Sequence, residues 1–215
     1  MTAVQERIFD WVPRFDPRSK SFPIRSELKP RPLRSWTWGG APHLDQGVEG
    51  ACVGHGWAHE VAARPRPYPI TSADAFAIYR RAQQIDEWEG ESYEGTSVLA
   101  GAKAVTERGW LKEYRWAFSL DDALMVLAYK GPLVIGVNWY SDMGEADEKG
   151  YLHASGVMTG GHCVLVKAIN IRHNRVTVHN SWGEAWGLRG DAYLSFTDLG
   201  RLLGLAGECC VPVLR

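Results

Sequence analysis

Four cysteines in 215 residues (Cys52, Cys163, Cys209 and Cys210) are too few and too unevenly spaced to staple a disulfide framework. Cys209 and Cys210 are neighbours, and a bridge between them would be strained. The set fits a reducing compartment, with one thiol available for chemistry and the others buried. No apolar run reaches the roughly 18 residues of a membrane-spanning helix. The start, MTAVQERIFDWVPRFDPRSK, has no apolar stretch behind a basic end, so no Sec signal peptide is expected and the expected location is the cytoplasm. An excess of one charge is missing too. With 24 Lys and Arg against 25 Asp and Glu, the net charge of −1 gives no general pull toward nucleic acid or an anionic membrane. Internal repeats and low-complexity segments are absent.

Hydrophobic residues, by contrast, make up 45% of the chain, and there are ten tryptophans, large rings that line cores and clefts. The length suits one large domain or two tightly packed subdomains. Residues 1–40 stand apart: five prolines, and eight Lys and Arg against four Asp and Glu, with no sustained periodicity. They read as an extended N-terminal arm before a domain at 41–215. Its apolar residues, Phe9, Trp11, Val12, Phe15, Phe22 and Ile24, favour an arm that wraps the domain.

The next stretches are helical. Cys52–Ala63 places Trp57 and Val61 on one face and stops at Pro65. Gly54 and Gly56 weaken this helix unless another element packs closely against it. A second helix starts at Thr71 or Ser72, with Asp74 at capping-box spacing. A third spans about 97–108, and a fourth is capped by Ser119 and closed by Gly131. The character then changes to β-branched, alternating segments at 133–138, 162–171, 175–179 and 192–196, with a tight turn at His173-Asn174. Helices first and strands second indicate an α+β fold with two packed lobes and a seam between them.

Three segments carry chemistry. Cys52 follows a Gly-containing loop, Gln46-Gly47-Val48-Glu49-Gly50-Ala51, and opens the first helix, where positive potential favours a thiolate. His162 heads a buried strand after Gly160-Gly161. Asn180 leaves a strand into Ser181-Trp182-Gly183, and an Asn carbonyl is suited to fixing the orientation of an imidazole that shares a proton with a thiol. Asn180-Ser181-Trp182-Gly183, followed by Trp186-Gly187, resembles the Asn-Ser-Trp-Gly-x-x-Trp-Gly signature of the papain (C1) family of cysteine proteases. Gln46, six residues before Cys52, is similar to that family's Gln-Gly-x-x-Gly-x-Cys pattern. Gly161-His162-x-Val164 is similar to its histidine strand. The anchors occur in the family's order, over roughly residues 40–210.

The resemblance implies a two-lobed fold, with a helical N-terminal lobe, an antiparallel sheet or barrel lobe, and a cleft between them. It implies Cys52 as nucleophile, His162 as general base and then acid, Asn180 as the residue orienting it, and Gln46 with the Cys52 N–H as an oxyanion hole. Trp182 would shield the His–Asn hydrogen bond, and Gly95 and Gly161 would meet the substrate backbone. The implied partner is a peptide or protein substrate, together with a separate inhibitor or assembly partner; neither cofactor nor metal is implied. Glu49 stands where the family has a cysteine, which removes a family disulfide, and Val53 stands where it has an aromatic residue. His162 and Asn180 follow Cys52 by 110 and 128 residues, against about 130–150 in the familiar enzymes. Trimmed loops and a short leader describe a compact bacterial or phage-type member, placed in a virion or host cytoplasm if phage-encoded.

Other readings bear on the same residues. A peptidoglycan amidase, endopeptidase or transpeptidase would use the same thiol pair, and a non-catalytic binding module would need none of it. His55 and His59 have a zinc-ligand spacing but lack the Glu of a His-Glu-x-x-His motif, and are expected to face solvent or make local hydrogen bonds. Strand alternation puts His179 and Asn180 on opposite faces and sends Cys163 away from the cleft. Residues 145–149 read as a solvated charged loop. Trp110 and Trp116 are expected to pack, while Trp36, Trp38 and Trp139 suit the core or the cleft equally.

Overall fold

The computed structural model describes residues 9–13, 15–86 and 94–213. Among the described residues, five α-helices and one eight-stranded sheet form the domain. In chain order these are β1 (Trp36–Thr37), α1 (Cys52–Ala62), α2 (Ser72–Ile85), α3 (Val98–Glu107), β2 (Glu113–Trp116), α4 (Leu120–Tyr129), β3 (Leu133–Tyr140), β4 (Tyr151–Leu152), β5 (Met158–Asn170), β6 (Arg175–His179), β7 (Asp191–Ser195), α5 (Phe196–Gly204) and β8 (Glu208–Val213). The strands run β2-β8-β3-β5-β6-β7-β4, with β1 added on β5. Pairing is antiparallel except between β4 and β7. The path stays open, so the expected sheet lobe is present without closing into a barrel.

Period-two alternation in β3, β5 and β8 builds two cores on the two faces of one sheet. Val134, Cys163, Leu165 and Cys210 join the core formed with α1, α2 and α3. Leu133, Ile135, Val137, Val164, Val166, Cys209 and Val211 join the other, with α4 and α5. The same alternation separates His162 from Cys163, as expected. All eleven residues of α1 are buried, and its glycines are explained by close neighbours. A Cβ on Gly54 would strike the Ala75 backbone of α2, and one on Gly56 would lie 2.9 Å from Cys163 Sγ.

The helix starts follow the sequence signals. Thr71 and Asp74 close a reciprocal capping box, and Ser97 and Ser119 accept from backbone N–H groups three residues on. Asn174 takes φ 47° in the β5–β6 turn. The short strands β1, β2 and β4, together with α5 and β8, are not read from the sequence. The strand at 191–195 ends one residue early, because Ser195 caps α5 by accepting from Asp198 N. β8 lay hidden in a Cys-Cys-Val-Pro run, since a proline demotes a strand pattern. All four cysteines are free and buried.

The arm wraps the domain. Ile24 and Trp11 are buried, β1 pairs with β5, and Pro23 bridges Trp116, while Phe15 and Phe22 remain exposed. Trp38 is buried with its indole N–H on the Leu127 carbonyl, Trp116 packs in the helical core, and Trp36 is exposed. No helix among the described residues is long and apolar enough to cross a membrane.

Candidate active site

Cys52 is the first residue of α1, so its thiol sits where unpaired backbone N–H groups concentrate positive potential. The thiol lies against the backbone N–H of Cys163, the residue following His162 on β5. His162 Nε2 and Asn180 Oδ1 are 2.8 Å apart, and Asn180 Oδ1 also accepts from Ser181 N at 2.8 Å. With its proton on Nε2 donated to Asn180, the imidazole keeps the Nδ1 lone pair for another partner. Trp182 stacks on the His162 ring at 4.9 Å and 28°, and Trp139 meets it edge-on at 4.8 Å. Both indoles are buried, so the ring and its bond to Asn180 are held away from water. Gln46, also buried, accepts from Ser181 Oγ at 2.6 Å and donates to the Glu49 carbonyl at 2.8 Å. These bonds tie the loop before Cys52 to the loop after Asn180. His162, Trp182 and Gln46 are thus linked through the Asn180–Trp182 turn, and the Cys52 thiol lies against the backbone of the residue after His162.

The seam is filled by the chain's own arm. Trp11 N donates to the Gly161 carbonyl at 2.8 Å, Val12 N to the Thr96 carbonyl at 3.1 Å, and Thr96 N to the Asp10 carbonyl at 3.1 Å. Phe9 sets its ring edge-on against both His162 and Trp182, each at 5.7 Å. Asp10 lies over Cys52 and against Gly50. A Cβ on Gly50, Gly95 or Gly161 would collide with Asp10 or Trp11, so the arm's close approach depends on all three glycines. The arm exchanges backbone hydrogen bonds with Thr96, the residue after Gly95. Gly95 supplies clearance, while its own N–H is held by the Tyr79 hydroxyl.

This cover changes the thiol. Burial pushes Cys52 up to about 11, although the Cys163 and Asp10 backbone N–H groups pull it down; the Asp10 carboxylate pushes it further up. Burial thus opposes the helix-start potential expected from sequence to favour a thiolate. Burial also raises the Asp10 carboxyl, with Glu94 adding to the effect.

The neighbouring histidines serve the scaffold. His179, on the face opposite Asn180, meets Asp191 Oδ1 at 2.6 Å, Lys167 Nζ at 3.2 Å and the Pro42 carbonyl at 2.9 Å. His55 and His59 are fully buried rather than solvent-facing, because α1 runs between α2 and the sheet. His55 Nδ1 bonds the Ala51 carbonyl, whereas the His59 ring touches the His179 ring at 4.5 Å and has no hydrogen-bond partner among the described residues. Asp147, in the charged loop, accepts from Lys149 N and Tyr151 N and pairs with His153, so that loop is an ordered turn.

No family model matches the chain. A curated relative, cathepsin B-like cysteine proteinase 3 of Ostertagia ostertagi, is 27% identical over 158 residues, covering 66% of this chain and 84% of the relative. Xylellain, a cysteine protease from Xylella fastidiosa, superposes with a TM-score of 0.68 at 15% identity over the full length of both chains. The procathepsin B S9 structure from Trypanosoma congolense gives 0.64 at 15% identity, covering 96% of this chain and 82% of that one. The fold is that of the papain-like proteins. Relative and neighbours agree on the class, that of the papain-like cysteine peptidases.

Proposed function

We propose that the protein is a cysteine endopeptidase in which Cys52 attacks the peptide carbonyl and forms a covalent acyl-enzyme. His162 takes the thiol proton through Nδ1 and passes it to the leaving amine; water then hydrolyses the thioester with His162 acting as base. Asn180 holds the imidazole in the tautomer this requires and supports the imidazolium. The Cys52 backbone N–H and the Gln46 side chain would meet the developing oxyanion. The observation that carries this reading is the extended segment Phe9–Val12. It spans the thiol and the imidazole and is held by backbone hydrogen bonds from Thr96 on one wall and Gly161 on the other. A seam that holds an extended peptide by its backbone is built for peptides, which favours peptide over other acyl substrates.

In this state the arm excludes substrate, so activity requires it to leave. Four free, buried cysteines support a reducing compartment as its workplace. The test is hydrolysis of a mixed peptide pool by the Trp11→Ala protein, read by mass spectrometry. New termini are expected, and they should disappear on Cys52→Ser. Cleavage that survives Cys52→Ser, or no cleavage by folded Trp11→Ala protein, overturns the reading.

A further inference from the structure

Each of the three segments that carry Gln46, Cys52 and Asn180 also carries a histidine, and the three imidazoles meet. His43 stands shortly before Gln46, His59 lies about two turns along α1 from Cys52, and His179 immediately precedes Asn180. The His179 ring is 4.5 Å from that of His59 and 5.0 Å from that of His43. His59 and His179 are fully buried, whereas the His43 side chain is 29% exposed and gives the cluster an edge on solvent. Neither nitrogen of His59 has a hydrogen-bond partner among the described residues. Backbone bonds close the same joint. Gln46 N donates to the Ser181 carbonyl at 2.9 Å, and Gly183 N to the Leu44 carbonyl at 3.2 Å. His179 Nε2 donates to the Pro42 carbonyl at 2.9 Å. The loop before α1 is thus zipped to the turn after β6, with the imidazoles packed beside the zip.

The cluster is poorly equipped for added positive charge. Asp191 Oδ1 is already shared between His179 Nδ1 at 2.6 Å and Lys167 Nζ at 2.8 Å. Glu184 lies 3.9 Å from His43, but it is 57% exposed and is also reached by Arg189. The groups facing His59 are His179 from β6, His55 from its own helix, Lys167 from β5 and His43 from the loop, every one a base. Asp45 acts on His55. Burial and these bases hold His59 well below its ordinary range, and burial followed by His179 lowers His43. A proton arriving at His59 therefore meets bases at distances where like charges repel strongly in a dry interior.

We infer that His43, His59 and His179 are positioning residues that hold the segments of Gln46, Cys52 and Asn180 in register, and that protonation of the cluster parts those segments at mildly acidic pH. The inference rests on the peptidase reading only for the roles of Gln46, Cys52 and Asn180. With His59 uncharged, the rings pack as an apolar joint. As pH falls, a form in which His59 reaches water binds the proton that the closed form refuses. The parted form then gains about tenfold per pH unit below about 6.5. The oxyanion side chain, the thiol and the orienting amide lose their common frame together, while the sheet itself stays closed.

The test is amide exchange on the full chain, read residue by residue by NMR at about pH 7.5 and about pH 5, with rates corrected for the intrinsic pH dependence of exchange. The Gln46 and Gly183 amides, which bond across the joint, are the reporters, and the amides pairing β3 with β5 are the reference. Opening at the reporters is expected to rise at least about tenfold at the lower pH, while the reference changes by less than about threefold. His59→Leu should hold the reporters within about threefold, and His59→Gln is read in its place if the leucine protein does not fold. Reporters that ignore pH, a reference that rises with them, or a rise that persists without His59 overturns the inference. Exchange does not depend on turnover. The expected exchange in a protein that cleaves no peptide would sink the peptidase reading and leave the joint standing, while cleavage by a protein whose reporters ignore pH would do the reverse.

Discussion

Replacing Trp11 with alanine tests the arm's hold on the cleft quantitatively. Burying an indole removes some 200 Å² from water, worth about 5 kcal/mol at 25 cal/mol/Å². Ordering Phe9–Val12 costs about 1–2 kcal/mol per residue, so the seated arm is held by a small difference between large terms. Removing a buried Trp costs about 3–5 kcal/mol, which is enough to unseat it. If the seated form is silent and the unseated form active, activity scales with the unseated fraction, and global stability with the sum over both folded forms. The same ratio then governs both. A hundredfold gain in peptide turnover must accompany a loss of about 2.7 kcal/mol in unfolding free energy, at 1.4 kcal/mol per factor of ten. We expect a gain on that order. The assays are hydrolysis of a fluorogenic peptide built on a sequence cleaved in the mixed pool and urea unfolding on the same preparation. A stability loss of 3 kcal/mol with turnover changed by less than threefold would refute the reasoning, since Trp11 would then be an ordinary core residue.

Other outcomes follow from the same geometry. Asn180→Ala should lower turnover at least tenfold yet leave activity above that of Cys52→Ser, because in the proposed mechanism Asn180 orients His162 through one 2.8 Å bond and does not react; loss down to the Cys52→Ser level in folded protein would count against that role. Gly54→Ala drives a methyl into the Ala75 backbone and should cost more than 2 kcal/mol by urea titration, at the upper end for overpacking. His59 is held well below its ordinary range by burial and by its neighbours His179, His55, Lys167 and His43. Its unfolded form therefore binds the proton more readily, so its contribution is intact above about pH 6.5 and is lost as pH falls below that, by about 1.4 kcal/mol per unit. His59→Leu should flatten the loss of urea stability between pH 6.5 and pH 5; an unchanged slope would contradict this. Glu208 acts in the opposite sense. With its carboxyl raised to about 7, it favours the fold below its unfolded value near 4.5, and that benefit fades as pH rises to 7. Glu208→Gln should therefore gain stability relative to the parent on going from pH 5 to pH 8, and a parallel pH dependence would tell against the buried acid.

Much of the site is legible in the sequence because its chemistry is carried by short, local signals. Cys52 at a helix start, His162 at the head of a strand and Asn180 at a strand exit each declare themselves within a few residues, and the structure sets His162 and Asn180 in hydrogen-bond contact. The capping boxes and the Asn174 turn are local in the same sense. What the sequence hides is long-range. Phe9, Asp10 and Trp11 sit in a segment without periodicity, and their partners Thr96, Gly161 and Glu208 lie roughly 85 to 200 residues away, so nothing near the arm points to the cleft. Glu208 belongs to a strand masked by Pro212, while α5 carried a readable Ser195–Asp198 cap that a β-rich neighbourhood obscured. The depressed thiol expected at Cys52 presumed an open cleft, whereas the sulfur is buried here and burial raises it.

The central claim, a thiol activated by His162, is tested most directly by the rate of Cys52 alkylation with iodoacetamide across pH 4–10 in the Trp11→Ala protein. Two ionisations are predicted: one on the acid side, where the thiolate–imidazolium pair forms, and one on the alkaline side, where His162 loses its proton. Reactivity near pH 6 should be far above that of a free thiol, and His162→Ala should remove the acid-side step. A single rise near the ordinary thiol range, about 8.5, unchanged by His162→Ala, would contradict the account.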